Sequence, residues 1–71
     1  DKPELRGRLA EFHLHEGKVG MAISELDQLA IFYEDVGAIR NAIRTVEQIL
    51  ELEPLNRAEY ETALLRLRNQ Q

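Results

Sequence analysis

Apolar residues recur at helical spacing along almost the whole chain, and no stretch alternates with the period of two that a half-buried strand needs. In the first segment Leu5, Leu9 and Phe12 fall at i, i+4 and i+7 and form one apolar face. Pro3 suits the first turn of a helix, where its missing N–H costs nothing. Asp1 and Glu4 are spaced for a capping box, and Gly17 is placed to close the helix as a left-handed C-cap. The second segment has the widest stripe: Val19, Ala22, Ile23, Leu26, Leu29, Ala30 and Tyr33 lie within about 120° of arc at about 100° per residue. Met21, Phe32 and Val36 widen it further, which suits a helix with a neighbour on each side; Gly37 ends it. In the third segment Ala38, Ile39, Ala42, Ile43, Val46, Ile49 and Leu50 share one side, while Arg40, Arg44, Glu47, Gln48 and Glu51 fill the other. Pro54 forbids continuation and pushes Glu53 toward extended geometry. Asn56 is placed as an N-cap with Glu59 as its reciprocal partner. Tyr60, Ala63, Leu64 and Leu67 then line the last segment before it frays in Arg68–Gln71.

The pattern predicts helices over 3–16, 18–36, 38–53 and 57–69. Connections of so few residues force consecutive helices to run antiparallel. The expected fold class is therefore all-α: four antiparallel helices as stacked helical hairpins, in one domain spanning 1–71. A chain of this length buries only about 60% of its unfolded surface and is marginally stable alone. The opening, Asp1–Leu9, reads as a cut just ahead of a helix, so a piece of a longer protein is expected. Glu4–Arg8 and Arg57–Glu61 are spaced as favourable i,i+4 pairs that support helices and carry no functional information.

Between Ile23 and Asn56 the residues Leu26, Leu29, Ala30, Tyr33, Gly37, Ile39, Ala42, Ile43, Val46, Ile49, Leu50, Leu52 and Pro54 stand at spacings that together resemble a tetratricopeptide repeat, whose unit is about 34 residues. The resemblance implies close helix crossing at the small residues Ala30 and Ala42. It places Tyr33 between one helix pair and the next, a turn at Gly37 and a stop at Pro54. Leu26 stands where the family often has tryptophan, and Ala30 where it has glycine. Partial copies flank the unit: Tyr60, Ala63, Leu64 and Leu67 downstream, and Leu9, Ala10, His13, Gly17, Ala22 and Ile23 upstream. Gly17 and Gly37 are twenty apart rather than 34, so the helix between them reads both as the end of one repeat and the start of the next. Either the array is irregular there, or 3–36 pairs with 38–69.

By this resemblance the chain is an α-α solenoid fragment of tetratricopeptide type, a protein–protein interaction module. The family's concave groove falls on Ser24, Asp27, Gln28, Ile31 and Glu34, with Arg8, Glu11, Leu14 and His15 upstream and Glu61, Leu65 and Arg68 downstream. Leu14, Ile31 and Leu65 are the apolar residues that stand off the core stripes. Acidic side chains around an apolar spot favour a basic amphipathic peptide or helix. Asp27 and Ile31 occupy two places of the lysine and asparagine clamp used by chaperone-binding members, so the acidic tails of heat-shock chaperones are not the expected ligand. The alternative is an oligomerisation or capping segment of a longer solenoid with no ligand of its own, its groove residues meeting another repeat or a second copy through open ends.

Composition narrows the partner class. A net charge of −4 argues against a nucleic-acid backbone. No apolar run approaches the roughly 18 residues of a membrane span, and no leader pattern opens the chain. The absence of cysteine rules out disulfide staples and thiolate chemistry and fits a reducing, cytoplasmic setting. His13 and His15 point about 200° apart on a helix and cannot chelate one ion together; Glu11 and His15 could supply two ligands, but no third is visible. The carboxylate pairs Glu34–Asp35 and Glu51–Glu53 read as solvated helix surface. Ser24 and Thr62 lack a glycine elbow. No catalytic role, cofactor or metal is expected.

Overall fold

The computed structural model describes residues 2–71. Among these residues there are four helices and no strand: α1 (Pro3–His15), α2 (Val19–Asp35), α3 (Ile39–Glu51) and α4 (Arg57–Arg68). Each lies within a residue or two of the span its apolar period predicts. The expected Asp1–Glu4 capping box falls on Asp1, outside the described residues. Lys2 is the N-cap of α1, with extended backbone, and its carbonyl accepts from the N–H groups of Leu5 and Arg6 at 3.1 and 3.2 Å. Asn56 does cap α4, but its amide meets the Glu59 carboxylate at 3.2 Å and makes no side-chain bond to the helix backbone. Arg57–Glu61 forms at 3.0 Å, whereas among the described residues Glu4 and Arg8 form no ion pair. No helix of the described residues is long and apolar enough to cross a membrane.

The first two turns are copies of one another. The residues after the C-caps, Gly17 and Gly37, sit at φ 74° and 79°. Lys18 N–H reaches back to the His13 carbonyl and Ala38 N–H to the Tyr33 carbonyl, both at 2.8 Å; Gly17 and Gly37 bond Leu14 and Glu34, both at 3.1 Å. These are the two bonds of a Schellman motif, and glycine supplies the positive φ without a Cβ penalty. The third turn corrects a sequence expectation. Glu53 is not extended: its φ is 55°. It occupies the same place after the C-cap Leu52, and its N–H bonds Leu50 at 3.1 Å. Pro54 follows with no N–H, so the second bond of the motif cannot form. The Leu50 carbonyl that accepts from Glu53 also accepts from the Arg57 guanidinium at 3.3 Å.

The helix backbones approach only their neighbours in sequence, α1 on α2, α2 on α3 and α3 on α4. The result is a slab with Cα extents of 35 × 27 × 12 Å. This settles which way α2 faces. It packs on α1 and α3 alike, being the second helix of one hairpin and the first of the next. A unit of twenty residues recurs across the two turns: Leu9 and Leu29, Ala10 and Ala30, Phe12 and Phe32, Ala22 and Ala42, Ile23 and Ile43, Gln28 and Gln48 correspond. The geometry recurs with it. Phe12 and His13 tilt at 60° with ring centroids 5.9 Å apart, and Phe32 and Tyr33 do the same at 5.8 Å.

The core forms two joined clusters. Ala10, Leu26, Leu29 and Ile49 make one; Ala42, Ile43, Val46 and Leu67 make the other; Tyr33 and Tyr60 pack against both. Helix α3 buries most of its length, and its buried Thr45 hydroxyl donates to the Asn41 carbonyl at 2.8 Å, so no donor is stranded. Helix α1 departs from the sequence reading. Its apolar face is open: Leu5 is 59% exposed, Leu9 42% and Phe12 55%. It buries Ala10 and His13 instead, because among the described residues α2 is the one helix whose backbone packs on it, and the small Ala10 lets α2 approach.

Candidate functional site

Helices stacked in a zigzag leave a trough wherever two non-adjacent helices flank the one between them. The largest apolar trough lies between α1 and α3, with α2 as its floor, and has a volume of 390 Å³. Leu26 and Leu29 line the bottom with Ala10; Leu14 and Leu52 stand on opposite sides. Gly7 opens the α1 wall by having no side chain, and the space around it is free of other atoms. Glu4, Glu11 and Glu51 stand around the rim, with Arg8 as the one cation. The trough is therefore greasy at the bottom and mainly acidic at the edge.

The trough between α2 and α4, over α3, is smaller at 130 Å³ and is bridged by side chains of the two helices. The Tyr60 hydroxyl donates to the Asp27 carboxylate at 3.1 Å. The Arg66 guanidinium grips the Glu34 carboxylate with both terminal nitrogens, Nη2 to Oε1 at 3.3 Å and Nη1 to Oε2. The hydrogen bond from Arg66 holds the Glu34 carboxyl below its ordinary value, reinforced by the Arg66 charge and opposed by burial. Burial, followed by the hydrogen bond to Asp27, pushes the Tyr60 phenol up. A third cleft of 270 Å³ lies where the start of α1 meets α2, lined by Lys2, Pro3, Arg6, Gln28, Leu29, Ile31, Phe32 and Asp35. There Arg6 donates to Glu25 at 3.1 Å and to Gln28 at 2.7 Å.

The groove residues expected from the resemblance are distributed over these features. Asp27, Ile31 and Glu34 line the α2–α4 trough, but both carboxylates are already engaged by α4. Gln28 and Ile31 line the cleft beside α1. Leu14 belongs to the α1–α3 trough. Ser24 is exposed on α2 and Leu65 is 65% exposed on α4. Leu14, Ile31 and Leu65 are all exposed, as their positions off the core stripes imply, yet no single trough gathers them. Sequence reasoning did not single out Leu52, Gln48 and Glu51 as neighbours of α1. The only local trace of that trough is the pair of small residues Gly7 and Ala10 on one side of α1.

His13 is buried among helix residues and its Nδ1 has no partner, while His15 is exposed. Among the described residues no three of His, Asp and Glu come together as a metal site would need. No family model matches the chain, and no curated protein or solved structure matches it either.

Proposed function

We propose that this chain is a protein–protein interaction module, a short helical stack of tetratricopeptide type that presents a face to a peptide, a helix or another subunit. The α1–α3 trough carries the reading. An apolar floor supplies affinity for leucine-like side chains, and the three carboxylates of Glu4, Glu11 and Glu51 favour lysines or arginines flanking them. Fully enclosed Ala22 and Ala42, Tyr33 between the two core clusters and the buried Pro54 that ends α3 are consistent with the tetratricopeptide resemblance. Ala30, the other small residue it marked for a close crossing, packs half-buried against the second cluster. The lack of cysteine supports a reducing compartment such as the cytoplasm.

The test is binding of fluorescent amphipathic helical peptides with lysine flanks, against peptides of the same apolar pattern with glutamate flanks. The lysine series should bind, and Leu14→Glu should weaken it without loss of helicity. Ile31→Glu reports on the groove expected from the resemblance; an effect there and none at Leu14 moves the site to α2. If neither series binds, the peptide reading fails.

A second reading has its own observation. The open Leu5, Leu9 and Phe12 face of α1 supports an oligomerisation or capping role, in which the ligand is another helical surface.

A further inference from the structure

The third side of α1 lines none of the troughs, save that Lys2 at its start borders the 270 Å³ cleft. Lys2, Leu5, Leu9, Phe12 and Glu16 follow one another at alternating steps of three and four residues, the spacing of a coiled-coil seam. Their counterparts one twenty-residue unit later show what such a side does. Glu25, the equivalent of Leu5, pairs with Arg6 of α1. Leu29 and Phe32, the equivalents of Leu9 and Phe12, line the cleft against the first turn of α1. On α2 this side receives a helix; on α1 the same side is exposed.

We infer that α1 is a self-docking face, on which two copies of the chain pair antiparallel about an axis near Leu9. This rests on the reading of the chain as an interaction module and names one partner, a second copy. An isologous contact sets α1 on α1, apolar seam against apolar seam. Charge selects that occupant, because the seam is complementary to itself. Lys2 and Glu16 are exposed at opposite ends of the same seam. A parallel pair sets Lys2 on Lys2 and Glu16 on Glu16. An antiparallel pair sets each Lys2 beside the partner's Glu16, Leu5 beside the partner's Phe12, and Leu9 on Leu9.

One helix of thirteen residues is a small interface, so association is weak, with dissociation on the order of 100 µM. Sedimentation equilibrium across that range should show monomer and dimer. Leu9→Glu should give monomer throughout, with helix content and thermal midpoint unchanged because Leu9 lies outside both core clusters. Lys2→Glu and Glu16→Lys should each weaken the dimer about tenfold by setting like charges together. The double exchange, Lys2→Glu with Glu16→Lys, should restore the original constant. A chain that stays monomeric, a dimer indifferent to Leu9→Glu, or neutral single charge variants would each overturn the inference. Peptide binding measured on the monomeric Leu9→Glu variant is independent of all this, since Leu9 does not line the α1–α3 trough; failure there strikes the peptide reading and leaves the dimer standing.

Discussion

The Tyr60 hydroxyl on α4 donates to the Asp27 carboxylate on α2 at 3.1 Å, linking two helices whose backbones do not touch. The tyrosine ring packs against both core clusters while its oxygen ties α4 to the far side of α3. Tyr60→Phe keeps the ring and removes the bond, and should cost about 1 kcal/mol. Burial and Asp27 make the folded protein hold the phenol proton more tightly than the unfolded chain does. Stability from this group is therefore full below the ordinary phenol value of 10.0 and falls as pH rises through and above it. Urea midpoints compared at about pH 7 and about pH 10.5 should show a smaller alkaline loss in the phenylalanine variant.

The pair of Arg66 and Glu34 predicts the opposite pH dependence. Arg66 depresses the Glu34 carboxyl, so its contribution is present above the ordinary value of 4.5 and is lost as pH falls through the lower folded-state value. Both side chains are substantially solvated, and the effect is small. Glu34→Gln should lower the urea midpoint slightly at neutral pH and flatten the acid limb below pH 4.5. An acid limb identical to that of the parent chain would assign the acid sensitivity to other carboxylates.

The three helix ends with one geometry and two residue types give a stability contrast. Glu53→Gly relieves a positive φ that a side chain tolerates poorly, and should stabilise by up to about 1 kcal/mol, less the entropy glycine adds to the unfolded chain. Gly37→Ala should destabilise by about 1 kcal/mol for conformational reasons alone, since the space around Gly37 is open. In a domain of this size, 1 kcal/mol moves the thermal midpoint by about 4–8 °C, which circular dichroism resolves.

Packing at the slab's centre predicts a second contrast. Ala42 and Ile49 are fully enclosed on α3, whereas Leu65 is open. Ala42→Leu overfills the contact and should cost about 1–3 kcal/mol. Ile49→Ala should cost about 2–5 kcal/mol, enough to unfold much of a marginally stable chain. Leu65→Ala should sit within about 0.5 kcal/mol of the parent. Equilibrium urea unfolding of the three variants orders them directly.

Much of the fold was legible because helices and their ends are local. The period of Ala22, Leu26 and Leu29 needs only the geometry of one helix. The stops at Gly17 and Gly37 depend on hydrogen bonds that span five residues. Pro54 stops α3 because its backbone nitrogen, closed into the ring, carries no N–H to donate. The conformation of Glu53 escaped the same reasoning because two local rules compete there: proline disfavours the helical region before it, and the helix end selects the left-handed one.

The candidate surface was less legible, again for a physical reason. An apolar stripe states that one side of a helix is greasy; it does not state what covers it. By itself the sequence determined four helices, their order, their reversals and the stripes that hold Ala22, Leu26, Leu29, Ala42 and Val46 in the core, all of which follow from interactions within a few residues along the chain. Only the tertiary structure decided that Asp27 and Glu34 are taken up by α4, that Leu14 shares a trough with Leu52, and that Leu5, Leu9 and Phe12 stay exposed among the described residues. Those outcomes depend on side chains from helices distant in sequence meeting through space, where the twist of the stack, and no local spacing, sets which residues come together.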